Sequence, residues 1–277
     1  MVVVGDNIYI VADDELHLAV FDIDGHGEGK LIRLFPGDLS DESAARKSAK
    51  PDLEALVRLP PFAGFPNGAL LALPSGSEPN RCKGVLLGID SCGRIDATPA
   101  VIDLSGLYLL LQNLFPALNI EGAVVLDYEL VLLHRGSRTH PANALLSFDL
   151  QEFGRSLQTG IPPPSPTQVH TVDLGSIEGA ILSFTDGAAL PDGRIVFSAV
   201  AENTEDSYQD GPCLGAAIGI IGTDRRVETL LRLEPTAKVE GIHAAIQGDR
   251  IGLLLVTDAD DASVPANLLR AEIPARA

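Results

Sequence analysis

Basic side chains are scarce in this 277-residue sequence, where 20 Lys and Arg stand against 38 Asp and Glu, giving a formal net charge of −18. Binding to nucleic acid or to an anionic membrane surface depends on clustered Lys and Arg. The charge balance therefore argues against nucleic acid and membranes as partners. Disorder is excluded as well, because 45% of the residues are hydrophobic and supply enough apolar surface for a core.

Long apolar runs, cysteine and tryptophan are also scarce or missing. No run approaches the roughly 20 apolar residues of a membrane span, and segment 1–6 has neither the basic start nor the apolar stretch of a secretion signal. We therefore expect a cytoplasmic protein. Its three cysteines, Cys82, Cys92 and Cys213, form no metal-type cluster and are expected to be reduced thiols. The absence of tryptophan excludes repeats of the WD type.

The sequence does contain a long-period repeat of short Val, Ile and Leu runs separated by turn elements. Four segments share one plan, in which an acid followed by Gly or Ala leads into an apolar strand, and a turn, a second strand, a polar loop and a third strand follow. The repeat acids, spaced by 67, 65 and 54 residues, are Glu54, Glu121, Asp186 and Glu240. Segment 5–13 resembles 248–258 of the last segment and adds a fifth unit, whose first strand is shortened to 1–4.

This repeat is typical of an all-β protein of the β-propeller class, whose blades bury their faces against each other. We expect a single domain over residues 1–277 with five antiparallel blades, whose N- and C-terminal strands close the ring. A sixth blade stays open as an alternative, in 90–115 or 161–180. One or two short helices between blades are predicted, over 40–47 and 105–114.

In a propeller, the starts of the inner strands and the loops between second and third strands lie on one face, so their polar residues should converge at the channel mouth. We expect Glu54, Glu121, Asp186 and Glu240 there as metal ligands, with Glu178 as the alternate to Asp186. Clustered carboxylates raise one another's pKa and need a cation, shared protons or basic partners. A divalent cation, Ca²⁺ first, suits oxygen ligands. A structural role for these acids at the strand starts stays open.

Three further residues are candidates for catalysis. His134 and Arg135 place a base beside a cation, and His243 follows Glu240 on the last inner strand, so they could act as general base and anion clamp. Arg135 could equally serve only to balance surplus acid. No Gly-x-Ser-x-Gly, phosphate-binding loop or His-Glu-x-x-His motif is present.

The predicted function is metal-dependent hydrolysis of a small ester, lactone or phosphoester bound at the channel mouth. The alternative is a non-enzymatic scaffold that holds a small ligand or a basic protein partner, on the same face or on the acidic loop 202–210.

Five stretches of the chain, 13–16, 51–56, 118–123, 190–197 and 238–243, resemble a family of bacterial β-propellers of unknown function. Their acid-Gly elements are also similar to those of esterase-like phytase propellers and, more remotely, of gluconolactonase-type propellers that hold a divalent metal in the channel. The resemblance implies a propeller with a metal-binding channel. The chain departs from this resemblance in three ways. The third unit has Asp186 in place of Glu, and the first unit has no acid at this position. The His and Asp pattern of a phytase is also missing.

Overall fold

The chain is described from a computed structural model over residues 1–25, 27–163, 165–202, 213–261 and 263–275. Within these residues the chain is all-β with three short helices, and its strands form five antiparallel sheets, each made of strands consecutive in sequence. These sheets are the five blades of a β-propeller, so the predicted fold class is confirmed. The strands in 90–115 and 161–180, the stretches considered for a sixth blade, belong to these five sheets. The helix in 90–115 lies between the second and third sheets in sequence.

The first two sheets have four strands each. The first comprises β1 (Val2–Val4), β2 (Asn7–Ile10), β3 (His17–Asp22) and β4 (Lys30–Arg33). The second comprises β5 (Leu53–Leu59), β6 (Ala69–Pro74), β7 (Lys83–Gly88) and β8 (Ala100–Asp103).

The other three sheets have four, five and three strands. The third comprises β9 (Ile120–Leu126), β10 (Glu129–His134), β11 (Asn143–Asp149) and β12 (Gln168–Val172). The fourth comprises β13 (Ser176–Ile177), β14 (Ala180–Ala189), β15 (Ile195–Glu202), β16 (Cys213–Ile221) and β17 (Val227–Arg232). The fifth comprises β18 (Val239–Gln247), β19 (Arg250–Thr257) and β20 (Leu268–Pro274). Within the described ranges, no sheet combines strands from the two ends of the chain.

The chain divides into two compact units, Met1–Ile120 with Asp149–Ser165 and Glu121–Phe148 with Pro166–Ala277. The first unit contains the first two sheets, whose facing surfaces form an apolar core that includes Tyr9, Leu56 and Val85. The second unit contains the other three sheets, with two apolar clusters between them. Central strands such as β6 and β15 are buried along their whole length, which explains their continuous apolar sequence.

Helix α1 (Ser43–Ala49) lies close to the predicted 40–47. It starts later than predicted because Glu42 is its N-cap residue. Helix α2 (Ser105–Leu114) is found where it was predicted. Helix α3 (Leu150–Thr159) was not predicted, although Asp149 caps its N-terminus and Gly160 ends it. Its apolar residues Leu150, Phe153 and Leu157 recur at helical spacing, so the signal was present in the sequence and was missed. Of the helices that the structure describes, none reaches the length and hydropathy that crossing a bilayer requires.

Candidate functional site

A β-bulge lies near the start of the inner strand in three of the sheets. The pairing register shifts at Glu54 in β5 and at Glu240 in β18, and skips both residues. In β14 the skipped residue is Thr185, and Asp186 lies one position further along. A bulge turns a side chain away from the regular alternation of the strand. The bulge therefore explains why a polar residue recurs at this point of the repeat.

Three carboxylates converge in the first unit, from Asp13, Asp52 and Glu54, with ligand oxygens all within 4.8 Å of one another. Asp13 follows β2, whereas Asp52 precedes β5 in a left-handed conformation with φ of 60°. The Asp52 N–H donates to the Asp13 carbonyl at 3.0 Å, which holds the two segments together. Two oxygens that bind one Ca²⁺ at about 2.3–2.6 Å lie at most about 5 Å apart, so the spacing of these three is compatible with a shared cation. The predicted ligand Glu54 thus belongs to this acidic triad, Asp13, Asp52 and Glu54.

Two basic side chains supply counter-charge to the acidic triad. The Lys50 ammonium contacts Asp13 and lies 2.7 Å from Asp52 Oδ1, and Arg81 Nη1 lies 2.9 Å from Asp52 Oδ2. The Ser75 hydroxyl also donates to Asp52. Burial alone would lower the pKa of Lys50, but Asp13 and Asp52 outweigh it and hold the pKa above its ordinary value. Lys50 is therefore a charged counter-ion at neutral pH.

The second unit contains an acid–base cluster in which acidic and basic side chains alternate. Arg135, just after β10, lies 3.3 Å from Glu121 Oε1 through Nη1 and 2.5 Å from Glu202 Oε2 through Nη2. Glu121 and Glu202 are both buried. Two predicted site residues, the metal candidate Glu121 and the catalytic candidate Arg135, are thus in direct contact.

Lys238 continues this cluster toward the last sheet. Its ammonium lies 3.0 Å from Glu202 Oε1, 3.5 Å from Glu240 Oε1 and 2.5 Å from Asp260 Oδ2. Burial alone would lower the pKa of Lys238, but the surrounding carboxylates outweigh it and raise the pKa. With four acids and two bases, the cluster would carry a formal charge of −2 if every group were ionised. Its members are Glu121, Arg135, Glu202, Lys238, Glu240 and Asp260.

Glu240 is the least satisfied acid of this cluster. Its side chain is 22% exposed, but its Oε1 atom is buried and makes no hydrogen bond within the described residues. Burial raises the pKa of Glu240 well above its ordinary value; Lys238 and Arg135 oppose this, and the charges of Glu121 and Glu202 add to it.

The remaining predicted residues take other positions. Asp186 is buried and accepts from the N–H groups of Gly187 at 2.7 Å and Ile242 at 2.9 Å, while burial raises its pKa. Glu178, the alternate, lies in the turn between β13 and β14, 3.6 Å from an arginine. His134 is buried at the end of β10. His243 is half-buried in β18, and burial lowers its pKa.

Five residues of the two clusters were not among the predicted site residues, namely Asp13, Lys50, Asp52, Arg81 and Lys238. One signal was available in the two strands whose bulge skips an acid: Lys50 lies four residues before Glu54, and Lys238 lies two residues before Glu240. Glu202 begins the acidic loop 202–210 considered for a partner, of which residues 203–210 lie outside the described residues, and neither Glu202 nor Asp260 was predicted as a site residue. The three cysteines are free thiols.

The fold and these two clusters define the class of this protein, a five-bladed β-propeller with buried carboxylates paired to basic side chains. The chain belongs to a family of unknown function (DUF6929), whose model matches residues 1–273. No curated protein matches the chain.

Several solved structures are similar to the chain at low identity. Hydrazine synthase of Kuenenia stuttgartiensis is 12% identical with a TM-score of 0.43, the match covering 98% of this chain and 60% of that chain. The periplasmic gluconolactonase PpgL of Pseudomonas aeruginosa is 12% identical with a TM-score of 0.39, covering 92% and 78%. A DUF4623 family protein of Bacteroides eggerthii is 11% identical with a TM-score of 0.35, covering 98% and 67%. The chain thus spans about 60% of the hydrazine synthase chain, and none of these similarities bears on function.

Proposed function

We propose that this protein binds a divalent cation, Ca²⁺ first, through Asp13, Asp52 and Glu54, and that the cation serves hydrolysis of a small ester, lactone or phosphoester. The observation that carries the proposal is the convergence of three carboxylate oxygens within 4.8 Å of one another. Among the described residues, this triad alone meets that spacing. A bound divalent cation would polarise the substrate oxygen and lower the pKa of a coordinated water.

The residues of the triad fit a hard cation in their chemistry, because all three ligands are carboxylate oxygens. The competitor is Lys50, which already contacts two of them. A cation must displace the ammonium or share the carboxylates with it. Lys50 therefore sets the affinity of the site, and its replacement by a neutral residue should strengthen cation binding.

Thermal unfolding tests this proposal on chelator-treated protein, with and without Ca²⁺, Mg²⁺, Mn²⁺ or Zn²⁺. A ligand at 100 times its Kd stabilises the folded state by about 2.7 kcal/mol. We expect Ca²⁺ to raise Tm, Glu54→Gln to abolish the rise and Lys50→Gln to enlarge it. Glu28→Gln and Lys30→Gln are matched controls, because both side chains are exposed in the same unit. A wild-type Tm that none of the four ions moves would contradict the proposal, as would an undiminished rise in Glu54→Gln.

Hydrolysis is tested separately, on chromogenic esters, lactones and phosphoesters. The expected result is turnover that requires the cation and falls in Glu54→Gln. Binding of the cation without turnover of any of the three substrate classes would reject the enzymatic part and leave a cation-binding propeller. His134, Arg135 and His243 stay predicted catalytic residues, and their replacement is informative only once turnover is measured.

The acid–base cluster favours a second function, binding of a cationic group from a small ligand or a basic protein partner. Its formal excess of acid is one reason, and the buried Oε1 atoms of Glu202 and Glu240, which lack hydrogen bonds within the described residues, are another. A ligand ammonium would donate to these oxygens. Both lie within 3.5 Å of Lys238, but outside hydrogen-bond geometry for it.

Calorimetric titration with spermidine and with a lysine-rich peptide tests this second function. Binding should weaken in Glu240→Gln and with added salt, and it should persist in the control Glu228→Gln, an exposed acid of the same unit. Heat signals equal in both variants would contradict it. The cytoplasmic location and the exclusion of nucleic acid and membranes stay predictions from composition and charge.

A further inference from the structure

Segment 35–51, which connects the first sheet to the second, contains helix α1 and is attached to the protein through polar groups. None of its apolar side chains is buried. By contrast, α2 buries Leu107, Tyr108 and Leu111, and α3 buries Phe153. With seven residues, α1 is also shorter than the roughly 12 residues that an isolated helix needs in water. The position of α1 therefore depends on its polar contacts.

Some of these contacts lie away from the acidic triad. Arg46 Nε lies 2.8 Å from Asp14 Oδ2, and Arg46 Nη2 lies 2.9 Å from Glu15 Oε1. The Ser48 carbonyl accepts from Asn80 Nδ2 at 3.1 Å. The Arg46 side chain is 26% exposed and Asn80 is exposed, so water and salt weaken these contacts. They form the weaker part of the attachment.

The stronger part of the attachment passes through the acidic triad. Lys50, directly after α1, places its ammonium against Asp13 and Asp52, and its side chain is only 11% exposed. Arg81 adds a second link, because its Nη1 lies 2.9 Å from Asp52 Oδ2 while its Nη2 donates to the Lys47 carbonyl at 3.2 Å. Both links end on carboxylates that the proposed cation would bind.

We propose that segment 35–51 is a strap, closed while Lys50 occupies the acidic triad and released when a divalent cation takes its place. This inference rests on the proposed function, because it takes the triad as the cation site. The cation and the Lys50 ammonium compete for the same carboxylate oxygens of Asp13 and Asp52. Once the ammonium is displaced, α1 loses its most enclosed ion pairs and has no buried apolar side chain to hold it. Loading of the site and opening of the strap are therefore one event.

Coupling between cation and strap is reciprocal. If the cation opens the strap, a change that opens the strap must strengthen cation binding by the same factor, even where it touches no ligand and alters no charge. Ala44→Gly is such a change, because Ala44 is an exposed residue of α1. Glycine disfavours a helix relative to alanine by up to about fivefold. The Kd for Ca²⁺ should therefore fall by up to about fivefold, whereas displacement of the Lys50 side chain alone would leave it unchanged.

Hydrogen exchange of the full chain, followed by mass spectrometry with and without Ca²⁺, tests the strap, and calorimetric titration gives the Kd. In the wild type, Ca²⁺ should raise Tm and yet speed exchange of amides 43–50 by at least about tenfold, because a broken ion pair of this burial costs more than that factor. Helix α3 is the internal control, since Phe153 anchors it in the same unit, and its exchange should not accelerate. Lys50→Gln should show fast exchange of 43–50 without any cation.

The outcomes separate the strap from the cation site. Ca²⁺ that binds and raises Tm while exchange of 43–50 stays unchanged would overturn the strap and leave the cation site in place. A wild type that binds no cation in the titration would overturn both. Faster exchange of 43–50 in Ala44→Gly with an unchanged Kd would also refute the coupling, and slow α3 exchange in that variant shows that it is folded. NaCl at matched ionic strength should not speed exchange as Ca²⁺ does, and an equal effect would show screening in place of displacement.

Discussion

The charge network around Asp52 allows a quantitative prediction for Asp52→Asn. The side chains of Asp52, Arg81 and Lys50 are only 3%, 4% and 11% exposed. Removing one partner of such a buried network costs about 3–5 kcal/mol, because the other charges stay buried with less compensation. Lys50 keeps Asp13, and Arg81 Nη1 keeps the Ser77 hydroxyl at 2.7 Å. We therefore expect a loss at the lower end, about 3 kcal/mol, from a substitution that preserves shape.

Urea unfolding at neutral pH with a chelator present measures this loss without a contribution from metal binding. With a slope of about 3 kcal/mol per molar urea, the midpoint should fall by about 1 M. Asp38→Asn is the matched control, since Asp38 is 95% exposed and lies 3.6 Å from Arg33; its loss should stay below about 0.5 kcal/mol. A loss for Asp52→Asn no larger than that of the control would refute the reasoning, because it would show that solvent screens the network.

Two further predictions concern pH and packing. Because burial lowers the folded-state pKa of His243, the unfolded state binds more protons below pH 6.5, and stability should fall as pH drops through the folded pKa. Melting curves from pH 8 to 5 should show a smaller loss in His243→Gln and an unchanged loss in the control His140→Gln; equal losses in both would argue against buried His243. Gly76 has φ of +72° and a Cβ there would lie 2.1 Å from Tyr108, so Gly76→Ala should cost about 2–4 kcal/mol. Gly160→Ala, with φ of +69° and no atom nearby, should cost only about 1–2 kcal/mol in the same urea assay, and a similar cost for both would contradict the steric part.

The recurring strand pattern was readable from the sequence because it depends on local chemistry. Apolar runs such as 69–73 and 195–201 bury whole strands, and turn elements such as Pro66-Asn67-Gly68 separate them. Each blade repeats this pattern, so the repetition identifies a propeller before any pairing is known. Helix α2 was readable for the same reason, and α3 carries a local signal too, Leu150, Phe153 and Leu157 at helical spacing between the cap residues Asp149 and Gly160, which was not used.

The partners of the repeat acids were not readable, because they depend on which segments the blades bring together. Asp13 and Lys50 are 37 residues apart, and Arg135 and Glu202 are 67 residues apart. The position of Asp186 relative to the bulge was not readable either. The bulge is defined by the pairing register of β14 with β15, and that register skips Thr185.

By itself, the sequence determined the all-β class, the five repeats and the recurrence of an acid near the start of inner strands, because each follows from local periodicity and composition. Only the tertiary structure decided what surrounds those acids. It gave Asp52 the counter-charges of Lys50 and Arg81, and it gave Glu240 a buried oxygen beside Lys238. The energy of a buried charge depends on its neighbours in space, and sequence spacing does not specify those neighbours.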